Sequence, residues 1–357
     1  MIDGPCMMND DDLVRASRRR RSPVRISEVA ARVGVSPMTV SRVINGGKNV
    51  RPATREAVER AIAELDYSPN IAARRLAGGG GTRIGLLYSN PSAAYLSEFL
   101  VGTLDEARRN DVQLIVEKCD AGGEIESVKS LLKNRIDGLI LPPPLCNSPA
   151  LTELVRKEGI PAVAVASGLP VAGMSSVNID DFDAARAMTD YILSLGHRRI
   201  GFIEGSPDQT ASGRRREGYV AALTAAGIAV DPALIVPGLF TYRSGLAAAE
   251  RLLDLPERPT AIFASNDDMA AATVAAAQRR GIDVPRQLTV CGFDDTALAT
   301  TIWPELTTVR QPISDMSCAA MKMLMTAISS SNGDEMAERH ETVDFTLIPR
   351  ETTAQLQ

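Results

Sequence analysis

A chain of 357 residues with 45% hydrophobic content is long enough for two or three domains. No apolar run approaches a membrane span, the start MIDGPCMMNDDD lacks a signal-peptide core, and five scattered cysteines without CxxC pairs read as reduced thiols, so a cytoplasmic protein is expected. Two distant histidines, His197 and His340, make a zinc site unexpected, and a net charge of −5 hides a basic stretch from Leu13 to Gly81 on a more acidic remainder, which points to phosphate at one end only.

In chain order, residues 1–23 read as a disordered arm whose run Arg18–Arg21 receives no function. Ile26, Val29, Ala30 and Val33 then recur at helical spacing until Gly34 breaks the helix. Ser36 is placed to cap a second helix that has Pro37 at its first position. Val40, Val43 and Ile44 turn inward, leaving Met38, Thr39, Ser41 and Arg42 on the outer face, a polar surface with one guanidinium. Such a face suits a recognition helix, because Arg can donate twice to guanine in the major groove. Arg51 to Asp66 reads as a third helix, with Val58, Ile62 and Leu65 on one side. Pro69 ends it, Asn70 can cap the short segment IAARRLA, and Gly78 to Gly81 form a linker.

The strings VSPMTVSRVINGG, TREAVERAIAELDYSPN and IAARRLA resemble the DNA-binding domain and hinge helix of the lactose-repressor/galactose-repressor family, and the likeness runs through nearly the whole chain. The resemblance implies a helix-turn-helix domain over 24–69 and a hinge over 70–81. It places Pro37, Met38 and Arg42 at base edges and Ser36, Thr39, Ser41 and Asn45 on the backbone side. It makes Leu76 the minor-groove wedge, flanked by Arg74 and Arg75, with Asn70 starting the hinge helix. A helix this short is marginal in water, so its order is expected to depend on DNA.

Beyond Thr82, RIGLLYS, VQLIVE, GLILPP and AVAVAS read as strands, and RRIGFIEG, TAIFAS and LTVCGF begin a second series. The helices between them include SEFLVGTLDEARRN, ESVKSLLKN, GRRREGYVAALTAAG and DDMAAATVAAAQRRG. Alternation of this kind predicts two doubly wound parallel-sheet lobes. With the hinge helix and the likeness to periplasmic binding proteins that the resemblance implies, the expected fold class is multidomain: an all-α head with a hinge helix, then an α/β core similar to periplasmic binding proteins. The expected bounds are 82–181 with 310–340 for the first lobe, 182–309 with 341–350 for the second, and 351–357 as a tail.

Ligands in such sheets bind at the carboxyl ends of strands. On the family pattern, Asn266, Asp294 and Arg215 match residues that hydrogen-bond an effector, Phe240 an aromatic that stacks on a sugar, and Tyr95 and Leu96 the cover from the first lobe. For Asp267, helix capping is as good a reading as ligand contact. Trp303 is taken as structural, and His197 as a packed, hydrogen-bonded side chain.

No GxSxG, HExxH, GxxxxGK[ST] or GxGxxG motif supports catalysis. The expectation is a sequence-specific regulator, read as a repressor of carbohydrate-related genes. It would bind palindromic operator DNA as a homodimer under a mono- or disaccharide effector, with no cofactor, metal or membrane partner. The absence of a heptad tail gives no support for a tetramer. A purine or protein co-effector is the alternative within the family. A cytoplasmic sugar-binding protein without DNA function is the alternative from another class.

Overall fold

The computed structural model describes residues 26–44, 50–65, 81–120, 122–330 and 338–356. The expected arm, Asn45, and the hinge with Asn70, Arg74, Arg75 and Leu76 lie outside them. The chain divides into two compact units, the first ending at Gly81 and the second beginning at Thr82.

The first unit contains helices α1 (Ile26–Val33), α2 (Pro37–Ile44) and α3 (Pro52–Glu64). Val29, Ala30, Val40, Val43, Val58 and Ala61 form its core, with Ile26, Val33, Ile62 and Leu65 packed around them. Gly34 takes φ 73°, and the Val35 amide reaches back to the Ala30 carbonyl at 3.0 Å, so the left-handed turn that ends α1 is one only glycine adopts without strain. Ser36 opens α2: its hydroxyl accepts from the Thr39 amide at 3.2 Å and its carbonyl from the Val40 amide at 3.2 Å. The third helix starts one residue later than expected, because Arg51 is its N-cap and Pro52 its first residue.

The second unit holds two six-stranded sheets. The first runs β11-β5-β4-β3-β1-β2 and the second β12-β10-β9-β8-β6-β7. In chain order these are β1 (Arg83–Tyr88), α4 (Ala93–Arg109), β2 (Gln113–Lys118), α5 (Glu124–Lys133), β3 (Gly138–Leu141), α6 (Pro149–Glu158), β4 (Ala162–Val165) and β5 (Ser175–Asn178). Then come α7 (Asp181–Ser194), β6 (Ile200–Ile203), α8 (Thr210–Ala225), β7 (Ile235–Val236), α9 (Tyr242–Leu253), β8 (Ala261–Ala264), α10 (Asp267–Arg279) and β9 (Thr289–Asp294). Last are α11 (Leu298–Thr301), β10 (Thr307–Arg310), α12 (Ile313–Ser330), β11 (His340–Thr342) and β12 (Thr346–Ile348). All pairs are parallel except β10 with β12. Strands β3, β6, β8 and β9 are buried along their whole length, as strands covered by helices on both faces must be, whereas edge strand β2 is half-exposed.

The chain passes between lobes three times: from β5 to α7, from β10 to α12, and from β11 to β12. Two expected boundaries move. Strand β11 pairs with β5, so residues to Thr342 belong to the first sheet, and Arg310 pairs with Asp294 and Thr346 in the second. The expected tail is part of the second lobe. Thr352 is fully buried, its carbonyl accepts from the Val290 amide at 2.9 Å, and the Leu356 amide donates to the Leu195 carbonyl at 2.9 Å. His197 contributes to this seam, with Nδ1 3.0 Å from Thr260 Oγ1 and Nε2 3.1 Å from the Ala354 carbonyl. Trp303, taken as structural, is 73% exposed and lies ahead of β10. Its carbonyl accepts from Gln278 Nε2 at 3.0 Å.

Candidate functional site

In each sheet the chain starts on the strand next to one edge (β1 or β6) and proceeds to neighbours on both sides, which creates a crevice at the carboxyl ends. A cleft of about 380 Å³, part of it continuous with solvent, lies there. Every segment lining it follows a strand: Asn90, Ser92 and Tyr95 after β1, Pro143 after β3, Ala166 after β4, Gln209, Ala211 and Arg215 after β6, Phe240 after β7, Asn266 after β8, Asp294 at the end of β9, and Gln311 after β10. Tyr95, Arg215, Phe240, Asn266 and Asp294 are thus brought together as expected from the sequence. Leu96 is not among the lining residues, because Tyr95, one position earlier on α4, takes the cleft-facing place. Sequence reasoning missed Asn90, Ser92, Gln209 and Gln311. Asn90, Ser92 and Gln311 carried the signal of lying just beyond a strand end, whereas Gln209 sits further along, at the start of α8.

Ala166, Phe240 and Asp294 have φ of 52°, 57° and 120°. Positive φ in residues with a side chain costs about 1–3 kcal/mol each, so three such positions around one cleft have to be held by the structure around them. Asn266 holds one of them in place. Its Oδ1 caps α10 by accepting from the Met269 amide at 3.0 Å, and its Nδ2 donates to the Phe240 carbonyl at 3.2 Å. A Cβ added at Gly205 would overlap the Phe240 ring, so glycine there leaves room for the aromatic wall. Gly205→Ala is expected to swing this ring, weaken ligand binding about tenfold and lower the melting temperature, since Phe240 also packs in the core of the second lobe. Paired calorimetric and thermal-melting titrations check this; an unchanged ligand affinity would show that the ring position is immaterial.

Arg215 is the centre of the cleft's electrostatics. Its Nε donates to Asp181 Oδ1 at 2.8 Å, one Nη donates to the Ser265 carbonyl at 2.5 Å, the same nitrogen lies 3.9 Å from Asp294 Oδ1, and its Cζ sits 3.6 Å from the centre of the Phe293 ring. Asp294 also accepts from Gln311 Nε2 at 2.5 Å. Burial pushes the carboxyls of both Asp294 and Asp181 upward against the pull of Arg215, and nearby Asp267 adds to the rise at Asp294. Asp181 and Gln311 stand at two of the three crossings between lobes, so this network joins the cleft to its hinge.

Asp267 has neither of its expected roles, since Asn266 is the cap and Asp267 is absent from the cleft lining. Instead it accepts from Thr308 Oγ1 at 2.7 Å, the Thr296 amide at 2.8 Å and Thr296 Oγ1 at 3.2 Å. Burial outweighs these donors and pushes its carboxyl up to about 7. A carboxyl raised on folding binds its proton more tightly in the native state. Its contribution is therefore full below the ordinary value of 3.8 and is lost as pH rises through about 7. Melting temperature should fall between pH 5 and pH 8, and Asp267→Asn should flatten that slope. An equal slope in the variant would assign the dependence to another group.

The lobes touch across the cleft. Ser92 Oγ donates to Asp268 Oδ2 at 2.6 Å, Asn147 Nδ2 donates to Thr210 Oγ1 at 2.8 Å, and the Thr210 hydroxyl donates to the Ser167 carbonyl.

In the first unit, Pro37, Met38 and Arg42 are exposed on α2, with Met38 66% exposed and Arg42 Nη2 3.8 Å from its sulfur. Thr39 and Ser41 are half-buried beside them, and the Ser36 hydroxyl lies 2.9 Å from that of Thr39. A large apolar side chain and a guanidinium thus share one open helical face. Among the described residues no helix is long and apolar enough to cross a membrane.

Residues 25–70 match the family described as bacterial regulatory proteins, lacI family, and residues 189–353 match a periplasmic binding protein-like domain. The catabolite control protein A of Priestia megaterium is 36% identical over 304 residues, 84% of this chain and 91% of that protein.

The chain belongs to the lacI family.

Among solved structures, a lac repressor dimer bound to operator and an anti-inducer is similar with a TM-score of 0.79, 28% identity, and coverage of 93% of this chain and 100% of that one. A CelR–cellobiose complex is similar at a TM-score of 0.70 and 31% identity, over 92% of this chain and 99% of that one. As a lacI-family member the protein is a DNA-binding, effector-binding transcriptional regulator and not an enzyme. Its architecture is that of the family, a helix-turn-helix region followed by two α/β lobes.

Proposed function

We propose that the protein represses carbohydrate-related genes as a homodimer on palindromic operator DNA in the bacterial cytoplasm, and that a neutral sugar in the interlobe cleft sets its DNA affinity. One observation carries the effector assignment. Among the described residues, only Tyr95 Oη, Gln311 Oε1 and Arg83 Nε are buried side-chain polar atoms without a partner, and the first two belong to cleft residues. A buried unpaired polar atom costs about 1–3 kcal/mol. A donor and an acceptor left open in one crevice therefore call for a ligand offering both, as a hydroxyl does. The Phe240 ring supplies a surface for the carbon face of a pyranose, and Asp294 and Arg215 can address its hydroxyls. Because the guanidinium is already bracketed by Asp181 and Asp294, an anionic ligand would meet carboxylates as well as a cation. The similarity to a cellobiose complex agrees with this reading.

Titration calorimetry of the full chain against mono- and disaccharides, with hypoxanthine and guanine alongside, tests the assignment. Binding of a sugar supports it. Binding of a purine alone overturns it.

On the DNA side, Arg42 and Met38 are assigned to base edges, with Pro37 beside them and Ser36, Thr39 and Ser41 toward the phosphates. The family pattern extends the interface to Asn45, Asn70, Arg74, Arg75 and Leu76. Arg42→Ala should cost about 1–3 kcal/mol per half-site and relax sequence preference. Equal losses on cognate and scrambled duplexes in anisotropy titrations would show that Arg42 contacts phosphate only.

A further inference from the structure

Asp294 and Asp295 are consecutive residues at positive φ, 120° and 57°. Side chains rarely enter that region, and such a conformation persists only where its surroundings over-determine it. The sheet does not do so beyond Asp294. The last aligned pair of the β9–β10 ladder is Asp294 with Arg310, so the register stops before Asp295. Side chains take over from there.

The Asp295 side chain is only 5% exposed, and each of its carboxylate oxygens receives its own guanidinium. Oδ2 accepts from Arg310 Nε at 2.6 Å, and Oδ1 lies 2.6 Å from Arg350 Nη1. Charge-assisted contacts this short are the strong ones, and little water is present to compete with them. The two arginines come from different segments. Arg310 ends β10, just before the chain crosses to α12, and Arg350 follows β12, after the last crossing. Arg350 is itself fixed, its Nη1 donating to the Leu306 carbonyl at 2.9 Å and its amide to Thr307 Oγ1 at 2.7 Å. On the next residue, the Thr296 amide donates to Asp267 Oδ2 at 2.8 Å. Asp295 is thus the middle of three consecutive anchored residues, of which only Asp294 lines the cleft.

We infer that Asp295 is a positioning residue for the effector: clamped between Arg310 and Arg350, it holds the left-handed turn that presents Asp294 to the ligand. Asp295 touches no ligand itself. This rests on the sugar reading proposed above and deepens it, because the cleft then depends on the backbone conformation at Asp295 and not on its charge. With the clamp released, Asp294 relaxes toward an ordinary conformation, and its carboxylate leaves the place where it faces Arg215 and sugar hydroxyls.

The test separates backbone from charge. Asp295→Ala and Asp295→Gly remove the same two ion pairs, and in both Arg350 keeps the Leu306 carbonyl and has Glu305 at 3.8 Å. Alanine opposes a φ of 57°, whereas glycine adopts it freely. Calorimetry of the full chain with glucose, galactose, mannose, cellobiose, lactose and maltose first finds the sugar that binds most tightly. For that sugar, Asp295→Ala should bind about tenfold or more weakly, and Asp295→Gly should return to within about threefold of the unsubstituted chain. Arg310→Gln alters a half-exposed side chain and leaves Asp295 its other arginine, so it should keep the fold and weaken sugar binding about threefold. Equal affinities of Asp295→Ala and Asp295→Gly, or lower melting temperatures with unchanged affinity in all three variants, would overturn the positioning role and leave the sugar effector standing. Should Asp295→Ala not fold, Arg310→Gln decides, and full sugar affinity in it overturns the role. Failure of every sugar to bind the unsubstituted chain overturns both.

Discussion

Arg215→Met is expected to destabilise the effector unit by about 3–5 kcal/mol and to abolish sugar binding, the largest effect of any single substitution considered. Methionine retains much of the volume packed on Phe293, so the loss would be electrostatic rather than a cavity effect. Removing the guanidinium leaves Asp181 and Asp294 buried without their cation, and also frees the Ser265 carbonyl. Both carboxyls already lie above their ordinary range through burial, and without Arg215 they rise further. In the folded variant they become neutral at a higher pH than in the unfolded chain. The deficit should therefore shrink on going from pH 7.5 to pH 5.5. Urea denaturation of both proteins at the two pH values checks this. A deficit that is small, or one that grows on acidification, would mean that the network does not carry the charge balance assigned to it.

Gly168→Ala should prevent lobe closure and lower sugar affinity more than tenfold. Gly168 has φ 72°, and an added Cβ would stand 2.6 Å from Ala211 Cα and 2.8 Å from the Thr210 carbonyl carbon. Those are backbone atoms at the start of α8 in the opposite lobe, and no rotamer change can relieve the overlap. The positive φ adds a separate cost of about 1 kcal/mol that says nothing about closure. Gly159→Ala isolates that second effect, since Gly159 has φ 65° and nothing within 4 Å of its added Cβ. Small-angle scattering should find that sugar no longer compacts Gly168→Ala while it still compacts Gly159→Ala. Identical behaviour of the two variants would remove the steric argument.

Both effects depend on contacts that the sequence conceals. Arg215 and Asp181 are 34 positions apart, and Gly168 meets Ala211 only because two separately folded sheets face each other. The strands were legible where helices cover both faces, as in AIFA and IGFI, since complete burial leaves an unbroken apolar run. Strands β5, β7 and β11 were not, because two to four residues such as SSVN or the fully exposed HET carry no period. Asn266 and Asp267 illustrate the limit at the site itself. Adjacent polar residues after a strand could each cap, bind ligand or turn inward, and only the positions of Met269, Phe240 and Thr308 separate those roles. Gln311 lies just beyond β10, but what makes it a cleft residue is its bond to Asp294, which ends the neighbouring strand β9 of the same sheet.

The proposed coupling makes DNA affinity answer to a small molecule in the cleft. Fluorescence anisotropy of the full-length protein on a labelled duplex from its own upstream region, with and without a sugar found to bind by calorimetry, tests this most directly. The prediction is saturable binding that a scrambled duplex does not reproduce, with a Kd moved about tenfold or more by the sugar and left unmoved in Arg215→Met. Equal affinity for cognate and scrambled DNA, or a cognate Kd that the bound sugar leaves unchanged, would contradict it.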